Sequence, residues 1–255
     1  MVSLSEWFGQ LLFGSGSENQ AVAVIGSGGK TSLIWHLAAT LSPGRRVLVT
    51  PTAKMLVPEK TIYDRYYGDT LPVSSPGVTL GGVFNRTSGK LESYPLTDLE
   101  RIVPEYNLVL LEADGSRGLP LKAWNEREPV IPEYTDLTIG ILPLWPLGKS
   151  LTKKIVHRED LFMALTGASE GEKLKAEHII KLITGGNAGR AGAQERPGLF
   201  TRSYGRKILF FNQIEDEEQM LKARELARLL PQKFRTGLCT IAAGSVKANT
   251  LEVLS

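Results

Sequence analysis

The stretch Ala21-Val-Ala-Val-Ile-Gly-Ser-Gly-Gly-Lys-Thr-Ser32 is a short apolar run that leads into a glycine-rich turn. Residues 21–26 have the length and composition of a buried strand. Residues 30–41 carry a leucine at every fourth position from Leu33, which predicts a helix with one buried face. Residues 46–50 form a second apolar run. Strand, glycine loop, helix and strand in this order predict a parallel β-α-β unit.

The turn has the residue types that a phosphate-binding loop requires. Its spacing is Gly-x-x-Gly-Lys-Thr, shorter than the usual Gly-x-x-x-x-Gly-Lys-Ser/Thr, because Val24 stands where the first glycine of that pattern belongs. Glycines allow backbone N–H groups to approach phosphate oxygens closely, and the helix adds the positive end of its dipole. A strand-to-helix turn without a ligand is the alternative. The predicted nucleotide-binding residues of the loop are Gly26, Ser27, Gly28, Gly29, Lys30, Thr31 and Ser32.

Two carboxylates, Glu112 and Asp114, follow a further apolar run at residues 107–113. Positions i and i+2 of a strand face the same side, so both carboxylates can point towards one site. We predict that Thr31, Glu112 and Asp114 bind Mg²⁺, one carboxylate directly and the other through water or towards a substrate. An acidic strand end that faces solvent is the alternative.

Basic residues follow two of the strand ends. The planar guanidinium of Arg117 suits phosphoryl oxygens, and Lys122 could assist as a point charge. Thr52 and Lys54 follow the second strand, where we predict a loop that contacts the nucleotide. Solvated loop side chains are the alternative for the cations. The predicted catalytic residues are Lys30, Asp114 and Arg117.

The rest of the chain continues to alternate between strand and helix patterns. We predict a docked N-terminal helix around residues 4–12, a hairpin of residues 78–84 and 90–94, strands at 137–142, 206–212 and 238–243, helices at 96–103, 158–165, 176–183 and 217–230, and a mobile glycine-rich loop at 184–196. This order predicts an α/β fold like that of P-loop NTPases, a mostly parallel sheet with helices on both faces. We expect residues 1–255 to form a single domain, with residues 144–203 as a small helical insertion or subdomain.

Composition excludes several classes of partner. The 30 basic and 27 acidic residues leave a net charge of only +3, too little to favour nucleic acid or an anionic membrane. No apolar run approaches the roughly 20 residues of a membrane span, and the first basic residue is Lys30, so no signal peptide is expected. The single cysteine, Cys239, lies in a predicted buried strand and fits a reducing compartment. The sequence therefore predicts a cytoplasmic protein.

Three histidines and a second Gly-Lys-Ser segment are weaker candidates. His36 lies within the first helix and is expected to be structural, His178 is expected at the surface, and His157 is the histidine that we favour for function. No histidine or cysteine spacing indicates a zinc site. Residues 147–150 contain Gly-Lys-Ser but follow prolines rather than a glycine run, so they cannot form a phosphate loop, although Lys149 could still belong to a site.

The base-contacting element is predicted at residues 212–215. Asn-Gln-Ile-Glu is similar to the Asn-Lys-x-Asp element that selects guanine, with Gln213 in place of lysine and Glu215 in place of aspartate. The longer side chain of Glu215 requires the base to be shifted. The stem of Gln213 is shorter than that of lysine and covers less of the base ring. We expect Asn212 to contact the base and favour ATP, with GTP as the alternative.

Taken together, these segments resemble the YqeC-type accessory proteins of selenium-dependent molybdenum hydroxylases. The matching stretches are VIGSGGKTSL (24–33), VLVTPTAKM (47–55), LVLLEADGSRGLPLKA (108–123), EPVIPEYTDLTIGIL (128–142), LGKSL (147–151), VHREDLF (156–162), LTG (165–167) and FFNQIEDEE (210–218). The most specific is LEADGSRG, residues 111–118. Pro51 and Gln213 depart from the pattern, where threonine and lysine are more usual. The resemblance implies a nucleotide-binding P-loop fold and a role in selenium or molybdenum cofactor maturation.

Three functions fit these features. The first is a Mg²⁺-dependent NTPase or phosphoryl-transfer enzyme that uses ATP, or GTP, together with an unidentified small molecule or cofactor. The second is a nucleotide-gated adaptor or carrier that delivers a cofactor to a client hydroxylase and orders residues 184–193 when it binds nucleotide. The third is a ligase similar to the Mur amide ligases, which share the shorter Gly-x-x-Gly-Lys-Ser/Thr loop.

Overall fold

The structure is a computed structural model that describes residues 1–16, 18–58, 62–186, 196–238 and 240–255. Its strands are β1 (Val2–Ser3), β2 (Gln20–Gly26), β3 (Arg46–Pro51), β4 (Lys54–Leu56), β5 (Arg65–Tyr67), β6 (Gly77–Gly81), β7 (Val83–Asn85), β8 (Lys90–Glu92), β9 (Leu108–Glu112), β10 (Leu121–Lys122), β11 (Leu137–Pro143), β12 (Val156–His157), β13 (Arg206–Asn212), β14 (Thr240–Ser245) and β15 (Thr250–Val253). Its helices are α1 (Leu4–Phe13), α2 (Lys30–Leu41), α3 (Leu96–Ile102), α4 (Glu159–Thr166), α5 (Ala176–Thr184), α6 (Glu217–Leu229) and α7 (Gln232–Arg235). These elements confirm the predicted α/β class.

The principal sheet is mostly parallel, as predicted. In the described residues it has ten strands in the order β1-β15-β14-β13-β11-β2-β9-β3-β6-β5. The strands from β14 to β5 pair in parallel, and only β15 and β1 are antiparallel to their neighbours. Since β9 lies between β2 and β3, the carboxyl ends of these three strands are adjacent. The glycine loop and the acidic strand end are therefore neighbours in space.

Helices cover both faces of this sheet because successive strand residues point to opposite sides. Val22 and Val24 pack in one apolar cluster with residues of α1 and α2. Ala23 and Ile25 belong to a second cluster, which contains residues of α4, α5 and α6. The N-terminal helix is docked on the core as predicted.

The predicted hairpin at residues 78–94 is only partly correct. Its first arm, β6, is a parallel strand of the principal sheet beside β3, because both faces of residues 78–81 are buried. Gly82, at φ +147°, ends this strand. The hairpin itself consists of β7 and β8, and β4 pairs with β8 to complete a separate three-stranded sheet. This small sheet carries Lys54 and Lys90.

The segment predicted as an insertion contributes to the same core. Phe162 of α4 and Leu182 of α5 are fully buried within the cluster that also holds Ile25 and Leu111 of the sheet. The short strand β12 pairs in parallel with β10, which ties this segment to the chain that follows β9. The greater part of the predicted glycine-rich loop, residues 187–195, lies outside the described residues, as does Cys239. No helix in the described ranges has the length and apolarity that a membrane crossing requires.

Candidate nucleotide site

An open cleft of about 600 Å³ lies at the carboxyl ends of β2 and β9. Ligands of open α/β sheets bind at this edge, outside the carboxyl ends of the strands. The cleft is lined by Gly28, Gly29, Lys30, Thr31, Ser32, Lys54, Leu56, Lys90, Glu112, Gly115, Ser116, Arg117, Gly118 and Gln213. Eight of the residues predicted from the sequence are in this lining: Gly28, Gly29, Lys30, Thr31, Ser32, Lys54, Glu112 and Arg117.

The glycines of the loop are required by their backbone conformation and by their neighbours. Gly26, Gly28 and Gly29 have φ values of +98°, +77° and +126°, which L side chains rarely adopt. A Cβ atom on Gly28 would collide with the ring of Pro143, and one on Gly29 would collide with Nδ2 of Asn212. The loop is therefore fitted against the ends of β11 and β13 as well as being open to the cleft.

The start of the loop is tied to the protein. The N–H of Ser27 donates to the carbonyl of Ile141 (2.9 Å), and its hydroxyl donates to the carbonyl of Pro120 (2.8 Å). The N–H of Gly26 donates to Oδ2 of Asp114 (3.0 Å). Gly26 and Ser27, although predicted to bind nucleotide, are thus anchoring residues outside the cleft lining.

Asp114 lies beneath the loop and is 0% exposed. Its Oδ1 is 3.3 Å from Nζ of Lys30, and its Oδ2 accepts from Nε1 of Trp124 (2.7 Å) and lies 3.2 Å from Nζ of Lys122. Burial alone would raise the pKa of this carboxyl, but the two lysines, the Gly26 N–H and the Trp124 N–H hold it below its ordinary value. Asp114 is therefore a charged anchor, a placement that favours a structural role over the predicted contact with metal or with the transferred group.

Lys30 is held at the floor of the cleft with 4% exposure. Besides the contact with Asp114, its Nζ donates to the carbonyl of Gly26 (2.7 Å). These partners curl the side chain back around the loop.

Thr31 and Glu112 meet at the mouth of the loop, where the Thr31 hydroxyl donates to Oε2 of Glu112 (3.0 Å). Glu112 is 6% exposed, and burial raises the pKa of its carboxyl despite the Lys30 charge and the Thr31 hydrogen bond, which act in the opposite direction. The Lys30 charge and the Thr31 hydrogen bond do not offset the cost of burying this carboxylate, so a cation beside it would stabilise its charged form. A hydroxyl and a carboxylate are hard oxygen ligands of the kind that Mg²⁺ prefers.

The outer wall of the cleft is basic. Lys54, on β4, pairs with Glu92 (2.5 Å) across the small sheet, and Lys90 lies on the neighbouring strand β8. Arg117 is exposed in the loop after β9 and has a positive φ of +54°. No sequence pattern identified Lys90, because it enters the site only through the pairing of β4 with β8.

Asn212 and Thr52 lie outside the cleft lining. The Asn212 side chain donates from Nδ2 to the carbonyl of Gly28 (2.9 Å) and accepts at Oδ1 from the N–H of Val246 (3.0 Å). Both ends of the amide thus hold backbone groups, and the residue is only 3% exposed, which disfavours the predicted contact with a base. The Thr52 hydroxyl donates to the carbonyl of Val130 (2.5 Å) and positions the start of the β3–β4 connection.

Ion pairs continue from the loop towards α4. Lys122, also 0% exposed, pairs with Glu128 (2.8 Å), and Glu128 pairs with Arg158 (2.7 Å), the residue that precedes α4. His157 ends β12, opposite Lys122 of β10, and partial burial with the charges of Arg158, Arg117 and Lys122 lowers its pKa to about 4. This chain of charges connects the glycine loop to the segment between β11 and β13.

The other histidines and the second Gly-Lys-Ser segment lie away from the cleft. His36 hydrogen-bonds Asn249 (3.1 Å) from within α2, in agreement with a structural role. The surface prediction for His178 is wrong: it is 4% exposed, because the N–H of Lys175 donates to its Nδ1 and draws the ring against the start of α5. Lys149 is exposed and does not line the cleft. Within the described residues there is no group of three or more His, Cys, Asp or Glu side chains that could hold a metal alone.

Comparisons with known proteins agree with the resemblance seen in the sequence. The family model described as YqeC protein matches residues 22–160, which include the glycine loop, the acidic strand end and the Arg117 loop. The uncharacterized protein YqeC of Escherichia coli (strain K12) is 34% identical over 170 residues, which cover 64% of this chain and 66% of the relative, slightly less than two thirds of its length. No solved structure matches the chain.

Proposed function

Because the chain belongs to the YqeC family, we propose that it is a Mg²⁺-dependent nucleotide-binding protein that hydrolyses a nucleoside triphosphate or transfers its terminal phosphoryl group. The observation that carries the proposal is the meeting of Thr31 and Glu112, 3.0 Å apart, at the end of the glycine loop. A turn that served only to connect β2 with α2 would not need a buried carboxylate at this point.

The residues present fit both the nucleotide and the metal. Thr31 and Glu112 would hold Mg²⁺, which commonly takes one or two protein ligands and completes its coordination with phosphate oxygens and water. Bound in this way, the metal neutralises charge that develops on the phosphoryl oxygens. Lys30, Lys54, Lys90 and Arg117 line the same cleft, against the single carboxylate of Glu112. This excess of positive charge suits a triphosphate.

The side chains of the cleft would act through position and charge. Lys30 would contact the β- and γ-phosphates, and Arg117, exposed at the surface, would stabilise charge on the transferred group. Asp114 would hold Lys30 and the Gly26 N–H in place from beneath, as a positioning residue. In this proposal the reacting phosphoryl group would lie between Lys30 and Arg117, which line the same cleft.

Calorimetric titration with ATP and with GTP, each with Mg²⁺, tests the proposal. Lys30→Ala should remove measurable affinity, whereas Lys149→Ala, in the exposed Gly-Lys-Ser segment, should leave affinity unchanged. Thr31→Ser should retain the stimulation of binding by Mg²⁺, and Thr31→Val should lose it. Equal affinities in wild-type and Lys30→Ala protein would overturn the proposal.

The biological role rests on the family resemblance: the chain would serve selenium or molybdenum cofactor maturation, with an unidentified small molecule or cofactor as its second substrate. The test is the activity of a molybdenum hydroxylase in cells that lack the chain and are complemented with the wild-type or Lys30→Ala form. Restoration of hydroxylase activity by both forms would show that the biological role does not depend on nucleotide binding.

A nucleotide-gated adaptor is the second candidate, favoured by the ion pairs that run from Lys30 through Asp114, Lys122 and Glu128 to Arg158. Movement of Lys30 onto a phosphate would change the charge balance at the other end of this chain, at the start of α4. An adaptor should hydrolyse nucleotide slowly alone and faster with its client, and nucleotide should alter hydrogen exchange at residues 156–166. Rapid client-independent turnover would favour the enzyme.

A further inference from the structure

We propose that the cavity between the ends of β13 and β14 is the nucleobase site, and that Glu215 selects guanine. The assignment rests on the proposed nucleotide site and deepens it, because it names the base of the nucleotide. It differs from the sequence prediction in both respects: Asn212 does not contact the base, and GTP replaces ATP as the favoured ligand.

The cavity has a volume of about 600 Å³, and its lining begins one residue after that of the cleft at the glycine loop. Gln213 lines the cleft and Ile214, the next residue, lines the cavity. The rest of the lining comes from around the start of α6 (Glu215, Asp216, Glu217 and Met220), from the chain after β14 (Ser245, Lys247 and Ala248), and from Met1, Thr250 and Glu252. A nucleotide with its phosphates on the glycine loop can thus extend past Gln213 into this space.

Asn212 fixes the two sites relative to each other. Its Nδ2 donates to the carbonyl of Gly28 in the phosphate loop, and its Oδ1 accepts from the N–H of Val246, between two residues that line the cavity. The residue is 3% exposed, so these bonds are shielded from water. The amide therefore joins the phosphate loop to the far wall of the cavity.

Glu215 is the carboxylate of this cavity that remains available. The other acids are engaged: Asp216 accepts from the N–H of Gln219 (2.7 Å) at the start of α6, while Glu217 and Glu252 both pair with Arg224. The side chain of Glu215 is exposed, and within the described part of the chain it has neither a hydrogen bond nor an ion pair. Lys247, on the opposite wall, offers an aliphatic stem that can cover the face of a ring.

The chemistry of a lone carboxylate favours guanine. An ionised carboxylate only accepts hydrogen bonds, and the N1–H and exocyclic 2-amino group of guanine donate two in parallel. Adenine presents one amino donor beside the lone pair of N1, which faces the carboxylate with like charge. A site that pairs with a donor of its ligand rejects analogues without that donor strongly, since the polar group would be left unpaired.

The test measures dissociation constants for Mg²⁺ complexes of GTP, ATP, ITP and XTP with the full chain. We expect wild-type protein to prefer GTP to ATP and to bind ITP, which lacks the 2-amino group, at least about tenfold more weakly than GTP. Glu215→Gln should weaken GTP binding by a similar factor and strengthen XTP binding, because the amide can donate a hydrogen bond to the 2-carbonyl of xanthine. Glu225→Gln, an exposed change elsewhere on α6, should leave all four constants unchanged.

The failures of the two proposals are distinguishable. Nucleotide binding that depends on Lys30 but shows equal affinities for GTP and ATP, unaltered in Glu215→Gln, would overturn the guanine assignment and leave the phosphate site standing. A preference for ATP that survives Glu215→Gln would also overturn it. Absence of binding by every triphosphate would remove both proposals.

Discussion

Lys30 and Asp114 form an ion pair beneath the glycine loop, with Nζ 3.3 Å from Oδ1 and with 4% and 0% of the two residues exposed. The same carboxylate also faces Lys122, the Gly26 N–H and the Trp124 N–H. One buried carboxylate thus holds Lys30, Gly26 at the start of the glycine loop, and the chain after β9 that carries Lys122 and Trp124. Its removal should affect both folding and binding.

Asp114→Ala should lower the free energy of unfolding by about 3–5 kcal/mol, the usual cost of leaving a buried charge without its partner. Asp98→Ala is the matched control, because Asp98 pairs with Arg101 at 3.9 Å on the surface, where such pairs contribute at most about 1 kcal/mol. Urea unfolding of both variants gives the comparison. Equal and small losses would show that Asp114 does not anchor the loop.

If Asp114 were catalytic, as the sequence predicts, Asp114→Asn would spare nucleotide binding and abolish turnover. The structure changes that expectation, because the amide keeps an acceptor for one donor but loses the charge that positions Lys30. Affinity for nucleotide should therefore fall together with stability. Full affinity in calorimetry, with turnover alone lost, would return Asp114 to the catalytic role.

Glu112→Gln should separate stability from function. Burial raises the pKa of Glu112, so the charged carboxylate opposes folding at neutral pH, and the variant should be more stable than wild type at pH 7.5 without Mg²⁺. The advantage should shrink as the pH falls through the raised pKa of Glu112 and vanish below the ordinary value of 4.5, where both folded and unfolded chains hold the proton. Urea unfolding at pH 7.5 and pH 4 measures it, and a less stable variant at pH 7.5 would contradict the argument. Stimulation of nucleotide binding by Mg²⁺ should be lost.

Gly29→Ala should damage the loop more than its backbone angle alone explains. Gly29 and Gly44 both have positive φ values, +126° and +72°, but a Cβ at Gly44 has open space while one at Gly29 collides with the Asn212 amide. Gly44→Ala should cost about 1–2 kcal/mol for the left-handed conformation, and Gly29→Ala more. Thermal unfolding and GTP affinity of the two variants test this, with affinity reduced only in Gly29→Ala.

His157 should contribute to acid sensitivity. Its pKa is lowered from 6.5 to about 4 by partial burial and by the charges of Arg158, Arg117 and Lys122. A lowered pKa in the folded state means that stability is fully present above pH 6.5 and declines as the pH falls towards 4. His157→Gln should therefore lose less stability than wild type between pH 7.5 and pH 5. Parallel losses in the two proteins would show that His157 is not the titrating group.

The fold was readable from the sequence because apolar periodicity reports burial, and burial distinguishes interior parallel strands from amphipathic helices. α2 begins at Lys30 and β13 spans 206–212, as their patterns predicted. The prediction was wrong at residues 78–94, because a strand with both faces buried was assigned to the hairpin that follows it. The strand's partners decide this, and β6 pairs with β3 and β5 rather than with the hairpin strands that follow it.

The residues of the candidate site also divide into those that the sequence predicted and those that only the tertiary structure brought together. The sequence by itself determined that a glycine loop, a lysine, a threonine and an acidic strand end would be brought to one edge of a parallel sheet, since local chemistry and strand direction suffice for that. Only the tertiary structure decided that Glu112 reaches Thr31 while Asp114, two residues on, is enclosed by Lys30 and Lys122. Only it brought Lys90 into the cleft and Glu215 into the neighbouring cavity. The reason is that exposure and charge balance depend on every chain segment packed around a side chain, and most of those segments lie far away in sequence.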